Sequence, residues 1–305
     1  MKKYLSLLFL MCFFTFACKK KHDPVPDPVQ KVYKANFNLT GFTQSIAGVS
    51  NGKQHVNSVG TNAAPVPVTT DYFKVIKYLV YDANGNLFHS LTIDSTASNF
   101  GNISDNLPAG TYTIGIAAGQ AGLTYNKDLN NVFYYASSMG SSLPWGDTFF
   151  NKSQLTVSGD VTRDVTLSRI VGQLEINIED AIPAVAKSID ITIKNEYSYY
   201  SFANELPNSG SPEAFTTIIP EASKGKTNFK INKIIANTVA PFVVTITCYD
   251  ANQKNIGQGA VINNVTCQKN TRTILSGKLF NGLSNNTFII NLNNNWDPTP
   301  IVIHY

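Results

Sequence analysis

Tyr78-Leu79-Val80-Tyr81-Asp82-Ala83-Asn84-Gly85-Asn86-Leu87-Phe88-His89-Ser90-Leu91 reads as two strands folded back on a turn. Aromatic and aliphatic residues crowd both flanks. The Asn-Gly between them is the pair that most readily adopts the positive backbone angles of a tight hairpin. The segment predicts a strand over Phe73–Tyr81, a turn over Asp82–Asn86 and a second strand over Leu87–Ile93.

The same period of two continues in both directions. From Val32 to Leu39, Tyr33, Ala35, Phe37 and Leu39 alternate with Val32, Lys34, Asn36 and Asn38. Pro108-Ala109-Gly110 is a tight turn into a strand over Gly110–Ala118, followed by Gln154–Val157 and Asp164–Leu167. The second half repeats this outline. Gln173–Ile178 and Ser188–Ile193 flank a turn through Pro183, and Val243–Tyr249 runs through Asp250–Asn255 into Ile256–Val261. Tyr249-Asp250-Ala251-Asn252 thus echoes Tyr81-Asp82-Ala83-Asn84, and Thr271–Phe280 and Phe288–Leu292 complete the set. No long stretch carries helical periodicity. Many short strands at this spacing predict an all-β chain of two tandem Greek-key β-sandwich domains, 32–168 and 169–305, dividing near Ser168-Arg169.

Ahead of them lies a different kind of sequence. Met1-Lys2-Lys3 is basic, Tyr4–Ala17 is apolar, and Phe16-Ala17-Cys18 closes the run with a small residue before a cysteine. A helix of that length rises roughly 21 Å, short of the roughly 30 Å of bilayer hydrocarbon. Residues 1–17 therefore read as a lipoprotein signal peptide, cleaved before a Cys18 that takes the lipid. Lys19-Lys20-Lys21-His22-Asp23-Pro24-Val25-Pro26-Asp27-Pro28 excludes helix, so residues 18–31 form an extended, proline-rich tether. Its lysines either sit against anionic lipid or keep the tether soluble. The expected location is the outer membrane, lipid-anchored and facing the cell surface.

Composition narrows the function. Charged residues are 14% of the 305-residue chain, against about 25% in an average soluble protein. The net charge of +4 resides partly in Lys2, Lys3 and Lys19–Lys21, leaving a nearly neutral body with no case for nucleic acid. Of four cysteines, Cys12 leaves with the signal and Cys18 is acylated. Cys248 and Cys267 remain; a hairpin centred near Asn252 would put Cys248 opposite about position 257, so both are expected as free thiols.

No catalytic or cofactor constellation emerges. His22, His55, His89 and His304 lack a second ligand at zinc-like spacing. Gly115–Gly122 is glycine-rich without the Lys-Ser/Thr of a phosphate loop. Asp250, Asn252 and Asn255 lack the bidentate Glu of a calcium loop. Tyr197, Tyr199, Tyr200 and Trp145 read as core or loop packing, with stacking on sugars as the other reading. The expectation is no catalytic residue, metal or cofactor, and not an enzyme.

Tyr78–Gly85, Leu107–Thr113, Val165–Leu174 and Ala181-Ile182-Pro183, in that order, resemble the FimB-type fimbrial anchors and fimbrillin-like lipoproteins of Bacteroidota. The resemblance implies transthyretin-like sandwiches in a type V pilus lipoprotein, pairing strands with fimbrial subunits. Subunits of that kind are cut after an arginine to free an N-terminal strand. Here only Arg163, Arg169 and Arg272 occur, none in the opening strand, which favours an uncleaved anchor or accessory subunit. Lys19–Lys21 also stands where that phylum's surface-export signal is acidic. The alternative function is a glycan-binding outer-membrane lipoprotein of a polysaccharide-uptake system. The end of the chain, Ile301-Val302-Ile303-His304-Tyr305, either completes its own sheet or pairs with a partner.

Acylation at Cys18 predicts that Cys18→Ser abolishes metabolic fatty-acid labelling of the protein; label retained on the variant would refute the assignment.

Overall fold

The computed structural model describes residues 30–43, 72–128, 131–139, 141–280 and 288–293. The segments read as signal peptide and, for most of its length, tether, with Cys18, and Ile301–Tyr305 lie outside the described residues. The first half contributes β1 (Val32–Thr43), β2 (Val75–Tyr81), β3 (Leu87–Asp94), β4 (Asn102–Pro108), β5 (Gly110–Gly119), β6 (Leu123–Asn126), β7 (Val132–Tyr135), β8 (Thr148–Val157) and β9 (Val161–Arg169). The second contributes β10 (Gly172–Ile178), β11 (Ala186–Ser201), β12 (Pro207–Ile218), β13 (Phe229–Ile235), β14 (Phe242–Asp250), β15 (Asn255–Val265), β16 (Arg272–Gly277) and β17 (Ile289–Asn293). One 3-10 turn, Glu221–Ser223, is the only helical element among the described residues. The chain is all-β, as its alternation predicts.

Seven strands form one sheet in the order β3-β2-β5-β8-β9-β1-β4. β8 and β9 share only two ladder pairs, Phe149 with Arg169 and Phe150 with Ser168, so the sheet folds over there. Phe37 of β1, Ile103 of β4 and Leu167 of β9 consequently share one core with Tyr78 of β2, Ile114 of β5 and Leu155 of β8. The second core brings Leu174 and Ile176 of β10 and Leu275 of β16 against Ile189, Ile191 and Ile193 of β11 and Val244 and Ile246 of β14. Greek-key sandwiches are built mainly from antiparallel pairs, yet β1 runs parallel to β9 and β10 parallel to β16. Parallel neighbours require a long crossover connection, and more than ninety residues separate the members of each pair.

The first strand of the deciding hairpin, β2, is buried on both faces. Ile76, Tyr78 and Val80 point into the first core, while Val75, Leu79 and Tyr81 point into a third. That third core also takes Ala117 of β5, Phe133 of β7 and Phe150 of β8, with Tyr200, Phe202, Ile234 and Ala236 from the second half. This explains why Tyr78–Tyr81 reads as a continuous apolar run. Phe202 stacks 4.4 Å from Tyr81 and 5.9 Å from Phe150. A β-carbon at Gly115 would run into the Phe202 ring, so the glycine makes room for the second half. β6 and β7 go further: they precede Ser168 in the chain, yet β7 pairs with β11 and extends its sheet.

Arg169 closes the seam at the end of β9. Its Nε and Nη2 donate to the two carboxylate oxygens of Asp147 at 2.7 and 2.8 Å, and its Nη1 donates to Asn270 Oδ1 at 2.8 Å. The guanidinium also lies 4.7 Å from the Phe149 ring. Both charged side chains are almost fully buried. Removing one partner of such a pair strands the other in low dielectric, at about 3–5 kcal/mol, whereas replacing both is much milder. Arg169→Met should therefore lower stability to urea by about that amount. Arg169→Met combined with Asp147→Leu should recover most of it; equal losses in the single and double variants would show the pair is not coupled.

Candidate functional site

β11 is bordered differently along its two sides. β12 pairs with it from Ser188 to Tyr200 on one side. On the other, β14 pairs from Ala186 to Lys194 and β7 takes over at Tyr200 and Ser201. At the changeover the register slips between Ile193 and Glu196, with Asn195 at φ 69°. Asn tolerates this left-handed conformation better than most residues. The extra residue reverses the alternation: Ile189, Ile191 and Ile193 are buried, Asn195 is exposed, and Glu196 turns inward.

A cleft of about 360 Å³ opens at this point. It is lined by Tyr134 and Tyr135 of β7, Ser142–Trp145, Glu196–Tyr199 of β11 and Ser211–Ala214 of β12. The Tyr134 and Tyr199 rings meet edge to face at 5.7 Å, and Trp145 meets Tyr135 the same way at 5.5 Å. Ser198 and Ser211 share a hydroxyl–hydroxyl bond of 3.0 Å. Glu213 is held by Lys233, whose side chain is nearly buried.

Glu196 is 3% exposed. Its Oε1 accepts the backbone N–H groups of Ala236 and Asn237 at 2.6 and 3.1 Å. Its Oε2 has no hydrogen-bond partner among the described residues, and neither has the indole N–H of Trp145. Burial pushes the Glu196 carboxyl up to about 7; the Ala236 N–H opposes the rise and neighbouring Glu213 adds to it.

The residues singled out in the sequence divide. Trp145 and Tyr200 are buried in the third core, while Tyr197 and Tyr199 are half-buried on the cleft. Glu196, Tyr134 and Glu213 carried no sequence signal, because only the bulge and the seam bring them together. Asp250 and Asn252 form a turn: Asp250 Oδ1 accepts the N–H groups of Asn252 and Lys254 at 2.8 and 2.9 Å. Asp82 Oδ1 does the same for Asn84 and Asn86 at 2.9 and 2.8 Å, so the repeated Tyr-Asp-Ala-Asn is a repeated Asx-capped hairpin. The glycine-rich stretch is β5 and the turn after it. His89 contacts Asp105 at 2.9 Å; His22, His55 and His304 lie outside the described residues. No group of three metal-binding side chains occurs among the described residues. Cys248 and Cys267 are buried and free, with Cys248 facing Ile256 across the hairpin.

The sequence profile of the fimbrillin-A associated anchor proteins Mfa1 and Mfa2 matches residues 55–298. The chain belongs to that family. The resemblance read from the strand sequences therefore holds for this anchor-family chain. A Bacteroides thetaiotaomicron structure, described as a candidate polysaccharide-binding protein, aligns with TM-score 0.51 at 10% identity. The alignment covers 86% of this chain and 96% of that one. A fimbrial assembly protein from Parabacteroides distasonis aligns with TM-score 0.40 at 9% identity, over 86% and 95% of the two chains. A candidate cell adhesion protein from Bacteroides fragilis gives 0.43 at 12%, over 89% and 100%. At such identities the first of these likenesses is one of fold. No curated protein matches the chain.

A carboxyl whose pKa rises on folding favours the folded state while protonated and opposes it once ionised. With its pKa raised from the ordinary 4.5 to about 7, the contribution of Glu196 is complete below 4.5 and is lost as pH rises through 7. Between pH 5 and pH 8, wild type should lose on the order of 2–3 kcal/mol relative to Glu196→Gln. Parallel pH profiles in urea denaturation would contradict this.

Proposed function

We propose that this chain is a fimbrial anchor or accessory subunit, held in the outer membrane by the lipid on Cys18 and facing the cell surface. In this reading it takes its fimbrial partner by β-strand pairing and performs no catalysis. Membership of the anchor family supports the fimbrial role.

The observation that carries the uncleaved reading is the position of β1. It pairs with β4 from Val32 to Asn38 and with β9 from Ala35 to Thr43. Ala35, Phe37 and Leu39 sink into the first core. Withdrawing β1 would break two ladders and take these three side chains out of that core at once. The three arginines offer no cut that would free it alone: Arg163 and Arg169 lie in β9 and Arg272 in β16, so cutting at any of them would detach β2–β8 along with β1. A body that keeps its first strand does not open a groove there for a donor strand.

The other end of the chain suits contact with a partner better. β17 pairs with β16 and is the last strand of the four-stranded sheet among the described residues. Phe288 pins its start, packing over Gly277 and into the second core. Beyond it Ile289, Ile290 and Leu292 are 60%, 38% and 53% exposed. Consecutive strand residues point to opposite faces, so β17 is uncovered on both. Soluble proteins normally cover or charge such a strand, because an apolar edge invites pairing.

Deleting residues 297–305 tests the arrangement, together with Ile290→Lys in β17. The expected result is a folded, membrane-bound protein that no longer co-purifies with fimbriae. Unfolding on deletion would assign the last segment to the protein's own core, and intact fibre attachment in both folded variants would refute the role of this end.

A further inference from the structure

The cleft at the β11 bulge lies on the seam between the two halves, away from β17, and strand pairing makes no use of it. Its volume of about 360 Å³ falls in the range of small-molecule sites. Its most informative feature is the pair of orphaned atoms. Trp145 is 4% exposed and Glu196 is 3% exposed, both line the cleft, and each keeps one polar atom without a partner among the described residues. Native proteins rarely leave buried polar atoms unmatched, because each then forfeits its hydration without compensation.

The two atoms make complementary demands. The indole N–H requires an acceptor and the carboxylate Oε2 a donor. A cationic group would answer Glu196 and leave Trp145 unmet; an anion would do the reverse. A hydroxyl group donates and accepts, so a ligand with neighbouring hydroxyls meets both demands. The cleft's charge points the same way. Glu213 is paired with Lys233, so Glu196 is the one carboxyl among the lining residues without an ion pair. The half-buried Tyr134, Tyr197 and Tyr199 add rings on which the C–H face of a sugar can pack, and Ser198 and Ser211 add hydroxyls.

We propose that this cleft binds a neutral saccharide no larger than a disaccharide, with Trp145 Nε1 and Glu196 Oε2 holding its hydroxyls and Tyr134 and Tyr199 packing on its ring. It is a local site on a fimbrial anchor and requires no uptake system.

The test uses the mature chain with Cys18→Ser, which leaves it unacylated. Glucose, galactose, mannose, fucose, N-acetylglucosamine, maltose and cellobiose are titrated by calorimetry, with tetramethylammonium chloride as the cationic probe. The expected result is saturable binding of at least one sugar at millimolar concentration or below. Trp145→Phe keeps an aromatic side chain of smaller size and removes the indole donor; it should weaken binding about tenfold. Tyr134→Ala should weaken it by a similar factor. No binding across the sugars, or binding of tetramethylammonium alone, overturns the proposal. So does sugar binding that survives both Trp145→Phe and Tyr134→Ala. Fibre attachment is not among the readouts, so the outcome is independent of the anchoring role.

Discussion

A single guanidinium holds the molecule's two halves in register. Arg169 stands at the end of β9, where the first sheet folds over and the chain passes into β10. Two of its nitrogens grip Asp147, a third reaches Asn270, and its face covers Phe149. Asp147 and Phe149 belong to the first half and Asn270 to the second. An ion pair this deeply buried contributes little net stability over an apolar replacement, but it tolerates few geometries. The planar fork of arginine fixes direction as well as distance, so the corner between β8 and β9 has little freedom to open.

The third core depends on that corner. Tyr81, Phe150, Tyr200 and Phe202 interlock across the seam, and Lys152 caps the group by donating to the carbonyls of Phe202 and Ala203 at 3.3 and 2.8 Å. Each buried aromatic side chain contributes about 1.5–3 kcal/mol through the water it sheds. The seam is therefore built like the two outer cores and not like a hinge between independent domains. With β7 paired onto β11, the two halves also share a sheet.

The bulge at Asn195 illustrates the cost of joining sheets this way. β11 exchanges one neighbour for another along a single edge, and the mismatch falls on the residues between them. One extra residue absorbs it, which turns a carboxyl into the interior and leaves a cleft beside it. Burying Glu196 opposes folding as pH rises, and the orphaned atoms of Glu196 and Trp145 add to that cost. A leucine at position 196 would remove the buried carboxyl but strand the N–H groups of Ala236 and Asn237. Such local departures from an otherwise consistent β pattern are where binding sites tend to be found.

How much of this was legible in the sequence depends on the range of the interaction involved. The two Asp-capped hairpins were readable because Asp82 and Asp250 bond to amides only two and four residues away. Strand class was readable from alternation, and the family from the order of those strands. The free state of Cys248 followed from counting across a hairpin. Other features were set by residues far apart in sequence: the parallel β1–β9 and β10–β16 ladders, the transfer of β6 and β7 to the other half's sheet, and the bulge that turns Glu196 inward. Tyr78–Tyr81 shows the division most plainly. Its composition determined that it is a strand, but only the packing of Phe202 and Tyr200 against its second face decided why no polar residue interrupts it. Local hydrogen bonds and side-chain period are written into neighbouring residues, whereas the choice of partner strand is made by burial between segments that meet only in the folded chain.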